Sequence, residues 1–149
     1  QRMGIGCVVR NHRGQCLVAC NEQIHYISDP KLDEVVAIRR ALDVSRGESF
    51  TTINLVSYCL SLVTSIKSWV QDRSSLGAVV SDIKPLAFGF IGCFFLHVKS
   101  GLNVGAHKLA HRCEHDVNHI YHGVISECIR DELCNDVHQS IKCHHSLYK

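Results

Sequence analysis

The mainly apolar Gly4-Ile-Gly-Cys-Val-Val-Arg10 reads as a strand, and Gln15 to His25 as a second, with Cys16, Val18 and Cys20 on one face. Between them Asn11-His-Arg-Gly14 closes on a glycine. Two such strands on either side of a glycine-closed turn predict a β-hairpin. The period then changes. Ser28-Asp29-Pro30 offers a cap and a proline near the first helical position, Val35, Ile38, Ala41 and Leu42 follow at helical spacing, and Gly47 closes the segment. A helix from Pro30 to about Ser45 follows. Thr51 to Ser57 is short and β-rich, the pattern of a buried strand. Leu60, Val63 and Ile66, with Lys67 to Trp69, predict a second helix, and Asp72-Arg-Ser-Ser75 a loop. Ser74 or Ser75 can cap a third helix over Leu76, Val79, Val80 and Ile83 that stops before Pro85. Phe88 to Val98 reads as the last strand and Leu102 to His111 as the last core helix. The order β-β-α-β-α-α-β-α describes an α/β fold, a mixed sheet flanked by helices.

Beyond Arg112 the pattern weakens. Ile120, Tyr121, Val124, Ile125, Cys128, Ile129 and Leu133 make a short apolar appendage, and from His138 onward no period is visible, so those residues are expected to fray. The expected division is a domain over 1–112, an appendage over 113–137 and a disordered tail over 138–149. With 149 residues, 46% of them hydrophobic, and only 2 prolines, the chain can bury one core but not two. Its most apolar stretch, Leu86 to Val98, is interrupted by Gly89, Gly92 and His97 and is too short to cross a bilayer, so no membrane partner is expected. An intracellular protein, cytoplasmic or nuclear, is the expectation.

Nine cysteines without a secretory leader favour reduced thiols over a disulfide framework. Cys7, Cys16, Cys59 and Cys93 lie in apolar runs, where a thiol acts as a small hydrophobe. Residues 1–113 hold 13 Lys/Arg against 8 Asp/Glu, or +5, and residues 114–149 hold 3 against 6, or −3. A mildly basic body with an acidic tail suits a polyanion partner as well as a plainly solvated surface.

Four segments together resemble the plant ribonuclease H type-1 domain found in retroelement-derived proteins. They are Gly4-Ile-Gly-Cys-Val-Val-Arg-Asn-His-Arg-Gly14, Glu34-Val-Val-Ala-Ile-Arg-Arg-Ala-Leu42, Cys59-Leu-Ser-Leu-Val63, and His97-Val-Lys-Ser-Gly-Leu-Asn-Val-Gly-Ala-His107-Lys-Leu-Ala110. Each motif alone is weak; their order and spacing make the match specific from residue 4 to about 112. The resemblance implies a ribonuclease H-like fold and an endonuclease that hydrolyses the RNA strand of RNA/DNA hybrids. Two Mg²⁺ ions roughly 4 Å apart would activate a water and steady the leaving oxygen. Such ions require clustered carboxylates, which the family supplies from its first strand, first helix, fourth strand and last helix.

On that pattern Glu34 matches the helix acid. Tyr58 stands where the family has the strand-end aspartate, and a phenol near its usual pKa of about 10 is a poor Mg²⁺ ligand. His107 matches the last acidic position, which many plant members fill with histidine, a donor better suited to Zn²⁺ or Mn²⁺. The first aspartate has no counterpart, because Gln1-Arg2-Met3 leaves no room for the strand that carries it. That strand is central in the family, so its backbone ladder is expected to be missing too. Asp33 is a poor substitute, since neighbours on a helix point about 100° apart. Glu34 and His107 are the expected metal positions, both vestigial.

Nucleic-acid binding needs only cations and amides and can outlast cleavage. Arg10, Arg13, Arg39, Arg40, Lys99 and Lys108, with Asn103, are the candidate contacts to an RNA/DNA hybrid or double-stranded RNA. Shape and 2′-hydroxyls would then guide recognition. A competing reading is an inactive, truncated gene product. Another is a metal module of His107, His111, Cys113, His115, His119, His122, Cys128 and Cys134. His-x₃-His puts two imidazoles on one helix face, but no Cys-x₂-Cys knuckle accompanies it and 11 histidines produce such spacings by chance.

Overall fold

The computed structural model describes residues 2–13, 15–25, 29–68, 73–99, 104–111, 119–122 and 141–148. Strands β1 (Arg2–Arg10) and β2 (Cys16–His25) form the expected antiparallel hairpin, with Cys7 opposite Cys20 and a register shift between Val9 and Arg10. Asn11 shapes its turn: the side-chain oxygen accepts from the amides of Arg13 at 2.9 Å and Gln15 at 3.0 Å. This is the local bond that suits Asn to turns.

Helix α1 (Pro30–Gly47) starts with Asp29 as its cap, accepting from the Lys31 amide at 2.9 Å, and with Pro30 in the first turn. It runs one more half-turn than its apolar period indicates. Strand β3 (Thr52–Ser57) pairs in parallel with β4 (Gly92–His97), from Thr52 opposite Gly92 to Ser57 opposite His97. Helices α2 (Leu60–Lys67) and α3 (Ser75–Phe88) join them. Ser74 caps α3 by accepting from the Gly77 amide at 3.2 Å. The expected stop before Pro85 is corrected: α3 passes through Pro85 to Phe88. The ring removes one amide in the last turn, and the packing of Leu86 and Ala87 on the core offsets that loss. β4 therefore begins at Gly92, and α4 covers Val104–His111.

Two strands lie beyond the expected order. β5 (His119–His122) adds to β2, and β6 (Ile141–Tyr148) enters the sheet antiparallel to β1 and parallel to β3. The sheet order is β4-β3-β6-β1-β2-β5. β6 thus lies between β1 and β3 in the sheet. A strand between two unpaired edges gains a full set of main-chain hydrogen bonds, which no side-chain period needs to announce.

The helices cover opposite faces. On one, Met3, Ile5, Cys7 and Val9 of β1 and Ile53 and Leu55 of β3 meet Val35, Ile38 and Leu42 of α1, with Val80 and Ile83 of α3 beside them. Fully burying a side chain such as Ile38 or Leu42 contributes about 1.5–3 kcal/mol. On the other face, Val8 and Ala19 meet Ala106 and Leu109 of α4. Gly6 makes that contact possible, because a Cβ there would lie 2.0 Å from the Ala106 carbonyl oxygen. Among the described residues no helix is long and apolar enough to cross a membrane.

Candidate functional site

Glu34 lies early in α1 on the face that meets the end of β3, and it is 1% exposed. The Ser57 hydroxyl donates to its Oε1 at 2.6 Å and accepts from the Cys59 amide at 3.0 Å. One hydroxyl thus ties the first helix, the end of β3 and the start of α2 together. Asp33 is equally buried. Both carboxylates reach Tyr58 electrostatically: burial first, then Glu34, with Cys59 and Asp33 adding, hold the phenol well above its ordinary pKa. It stays protonated at neutral pH and offers Mg²⁺ no anionic oxygen. Beside it, His97 Nε2 lies 3.2 Å from the Tyr58 carbonyl oxygen, and the Val98 amide donates to the Ser57 carbonyl at 3.0 Å.

His107 is exposed on α4, across the sheet from α1. It meets His111 edge-to-face, ring centres 4.3 Å apart, and burial and then His111 lower its pKa from the usual value. The structure therefore gathers Glu34, Asp33, Ser57 and Tyr58 on one side and His107 with His111 on the other. Among the described residues, no group of three or more His, Cys, Asp or Glu is placed to hold a metal ion. A carboxylate engaged by a serine hydroxyl next to a neutral phenol does not fit a pair of Mg²⁺ ions. Of the His/Cys module, Cys113, His115, Cys128 and Cys134 lie outside the described residues.

The basic candidates divide. Arg10 is only 7% exposed, at the end of β1 where the register with β2 shifts. Arg40 Nε pairs with Glu22 at 2.7 Å. Arg13, Arg39 and Lys99 are exposed, Lys108 is half-buried on α4, and Asn103 lies outside the described residues. They come from separate elements, with Arg39 and Lys108 on helices that cover opposite faces.

Sequence reasoning missed Ser57, whose only signal was a small hydroxyl ending a buried strand one residue before Tyr58. It also missed an apolar groove of about 470 Å³ among Ile66, Phe88, Phe90, Ile91 and Phe94, with Lys84 at its rim. Here Phe88 and Ile91 are 79% and 87% exposed.

Comparison with curated proteins and with solved structures finds no match. A family profile described as reverse transcriptase-like matches residues 1–113, the stretch that contains the hairpin, the Glu34 helix and the α4 layer. With its α/β architecture and mixed, helix-flanked sheet, the chain belongs to this reverse transcriptase-like family, of the ribonuclease H-like type.

Proposed function

We propose that this chain is a ribonuclease H-like nucleic-acid-binding domain in which hybrid cleavage is impaired. The observation that carries the reading is the arrangement around Glu34. The carboxylate at the family's helix position is buried and engaged by Ser57, and the strand-end position beside it holds a protonated phenol. Those groups can hold the sheet end together, but they supply neither a clustered anionic cradle nor a base for water. Binding has different needs. Exposed cations attract phosphates without precise geometry, and release of counterions supplies much of the affinity. Arg13, Arg39 and Lys99 meet that requirement, and the shape of the duplex would set preference for an RNA-containing strand.

The test is a fluorescence-anisotropy titration of a labelled RNA/DNA hybrid against the whole chain at two salt concentrations. Three phosphate contacts give a loss of affinity of about 40-fold between 50 and 200 mM salt. Joint Arg13→Ala and Arg39→Ala substitution is expected to weaken binding and flatten that dependence. Equal affinity at both salt concentrations would refute the proposal.

A further inference from the structure

β4 stands at one end of the sheet order, so among the described residues it pairs with β3 alone. The outer side of such a strand is a row of amides and carbonyls open to another strand. Which residues form that row follows from the ladder with β3. The amides of Gly92 and Val98 donate to the carbonyls of Thr51 and Ser57 at 3.3 and 3.0 Å, and the register runs from Thr52–Gly92 to Ser57–His97 without a shift. Successive residues of a strand turn their N–H and C=O to opposite sides. Phe94 and Leu96 therefore bond toward β3 as Gly92 does, and Cys93, Phe95 and His97 offer their main-chain groups outward.

Natural edges are blunted by charge, proline, a bulge or short length. β4 uses none of these: Gly92-Cys-Phe-Phe-Leu-His97 has no Lys, Arg, Asp, Glu or Pro and spans 6 residues, whereas β5 at the opposite end spans 4. Large apolar side chains flank it. Phe94 and Leu96 are 58% and 43% exposed, beside the groove that Phe88 and Ile91 line. Since a whole aromatic side chain carries about 150–250 Å², these four leave on the order of 500 Å² of apolar surface in water.

We propose that β4 is the docking edge for a second copy of this chain, the two β4 strands pairing antiparallel about a twofold axis. Symmetry restricts the register. Directly opposed residues share a face of the sheet, so the axis passes through a residue and not between two. With Phe95 on the axis, Phe95 opposes its own copy and Cys93 opposes His97 of the other chain, so every outward residue exchanges hydrogen bonds. That register also sets Phe94 opposite Leu96 of the other chain in a closely spaced pair, which covers both exposed side chains. An axis through Phe94 would carry His97 beyond the other strand, and one through Leu96 would carry Cys93 beyond it. A twofold brings like residues together, so it tolerates no charged strand. The cations of the groove, Lys67 and Lys84, belong to α2 and α3, and Lys84 Nζ already donates to the Ser68 carbonyl at 2.8 Å. Two copies would bury about 1,000 Å², the lower limit for a specific interface, which gives association in the micromolar range. Because the contact is isologous, it closes at two chains.

The test combines sedimentation velocity of the whole chain across the micromolar range, under dithiothreitol so that no disulfide joins the copies, with amide hydrogen exchange read residue by residue. The expected result is a twofold rise in mass that stops at two chains. Exchange at Cys93, Phe95 and His97 should slow as concentration rises, with no change at Phe94 or Leu96, whose amides already face β3. Phe94→Lys, at an exposed position, should hold the mass at one chain with unaltered far-UV dichroism. One chain at every concentration, growth past two chains, or a dimer in which those three amides exchange as in the single chain overturns the proposal. Slow exchange that is already complete in dilute solution would place a segment of the same chain on the edge and overturn it too, as would slowing that requires an added peptide. Exchange in the unsubstituted chain decides the matter even where Phe94→Lys does not fold.

Discussion

Replacing Gly6 by alanine should lift α4 from the sheet. A Cβ at Gly6 would sit 2.0 Å from the Ala106 carbonyl oxygen and 2.7 Å from the Ala110 amide nitrogen. Both are backbone atoms of a helix, so no flexible side chain can yield. Moving the oxygen out to 3.0 Å, the least separation real Cβ atoms show, requires α4 to retreat by about 1 Å. Overpacking of this kind costs about 1–3 kcal/mol. A gap of that size also forfeits a quarter to a half of the dispersion contact beneath Ala106 and Leu109, which are 0% and 2% exposed. With part of the burial of Leu109, worth about 2 kcal/mol, the total comes to about 2–4 kcal/mol. For a chain of this size that is a fall in Tm of about 5–15 °C, read by far-UV dichroism. Gly47→Ala is the control: nothing lies within 4 Å of its Cβ, and a glycine in a helix usually gains up to about 1 kcal/mol on this change. Equal melting of the two variants would refute the close approach of α4 to β1.

Two further perturbations address the interior. Ser57→Ala removes the donor to Glu34 and the acceptor of the Cys59 amide; urea unfolding should show a loss of about 1.5–3 kcal/mol, and a loss under about 0.5 would contradict the bond. Burial pushes the Cys93 thiol up to about 11. Its alkylation by iodoacetamide, followed site by site from pH 7 upward, should therefore reach half its maximal rate near that pH; a midpoint near the ordinary thiol value would remove the burial.

The parts legible in the sequence are those where side-chain period reports on burial. The hairpin announced itself through two strand-like runs around Asn11-His-Arg-Gly14, and α1 through Val35, Ile38, Ala41 and Leu42 behind an Asp29-Pro30 start. β6 was illegible because a strand that fits between two waiting edges is held by its backbone, and Ile-Lys-Cys-His-His-Ser-Leu-Tyr carries no alternation to reveal it. Pro85 misled because local propensity was outweighed by packing of the residues after it. Gly6 carries no signal in the sequence beyond its place in a strand, and it is a contact point for a helix. At the site, the resemblance singled out Glu34 and Tyr58, and the structure couples the two electrostatically. Ser57 and the burial of Arg10 depend on register at strand ends, which composition does not encode.

Incubation of the whole 149-residue chain with Mg²⁺ and a 5′-labelled RNA/DNA hybrid, resolved on a denaturing gel, tests the loss of cleavage most directly. With Glu34 engaged by Ser57 and Tyr58 in place of a carboxylate, the RNA strand should remain full length. Mg²⁺-dependent fragments that disappear in Glu34→Gln would contradict it.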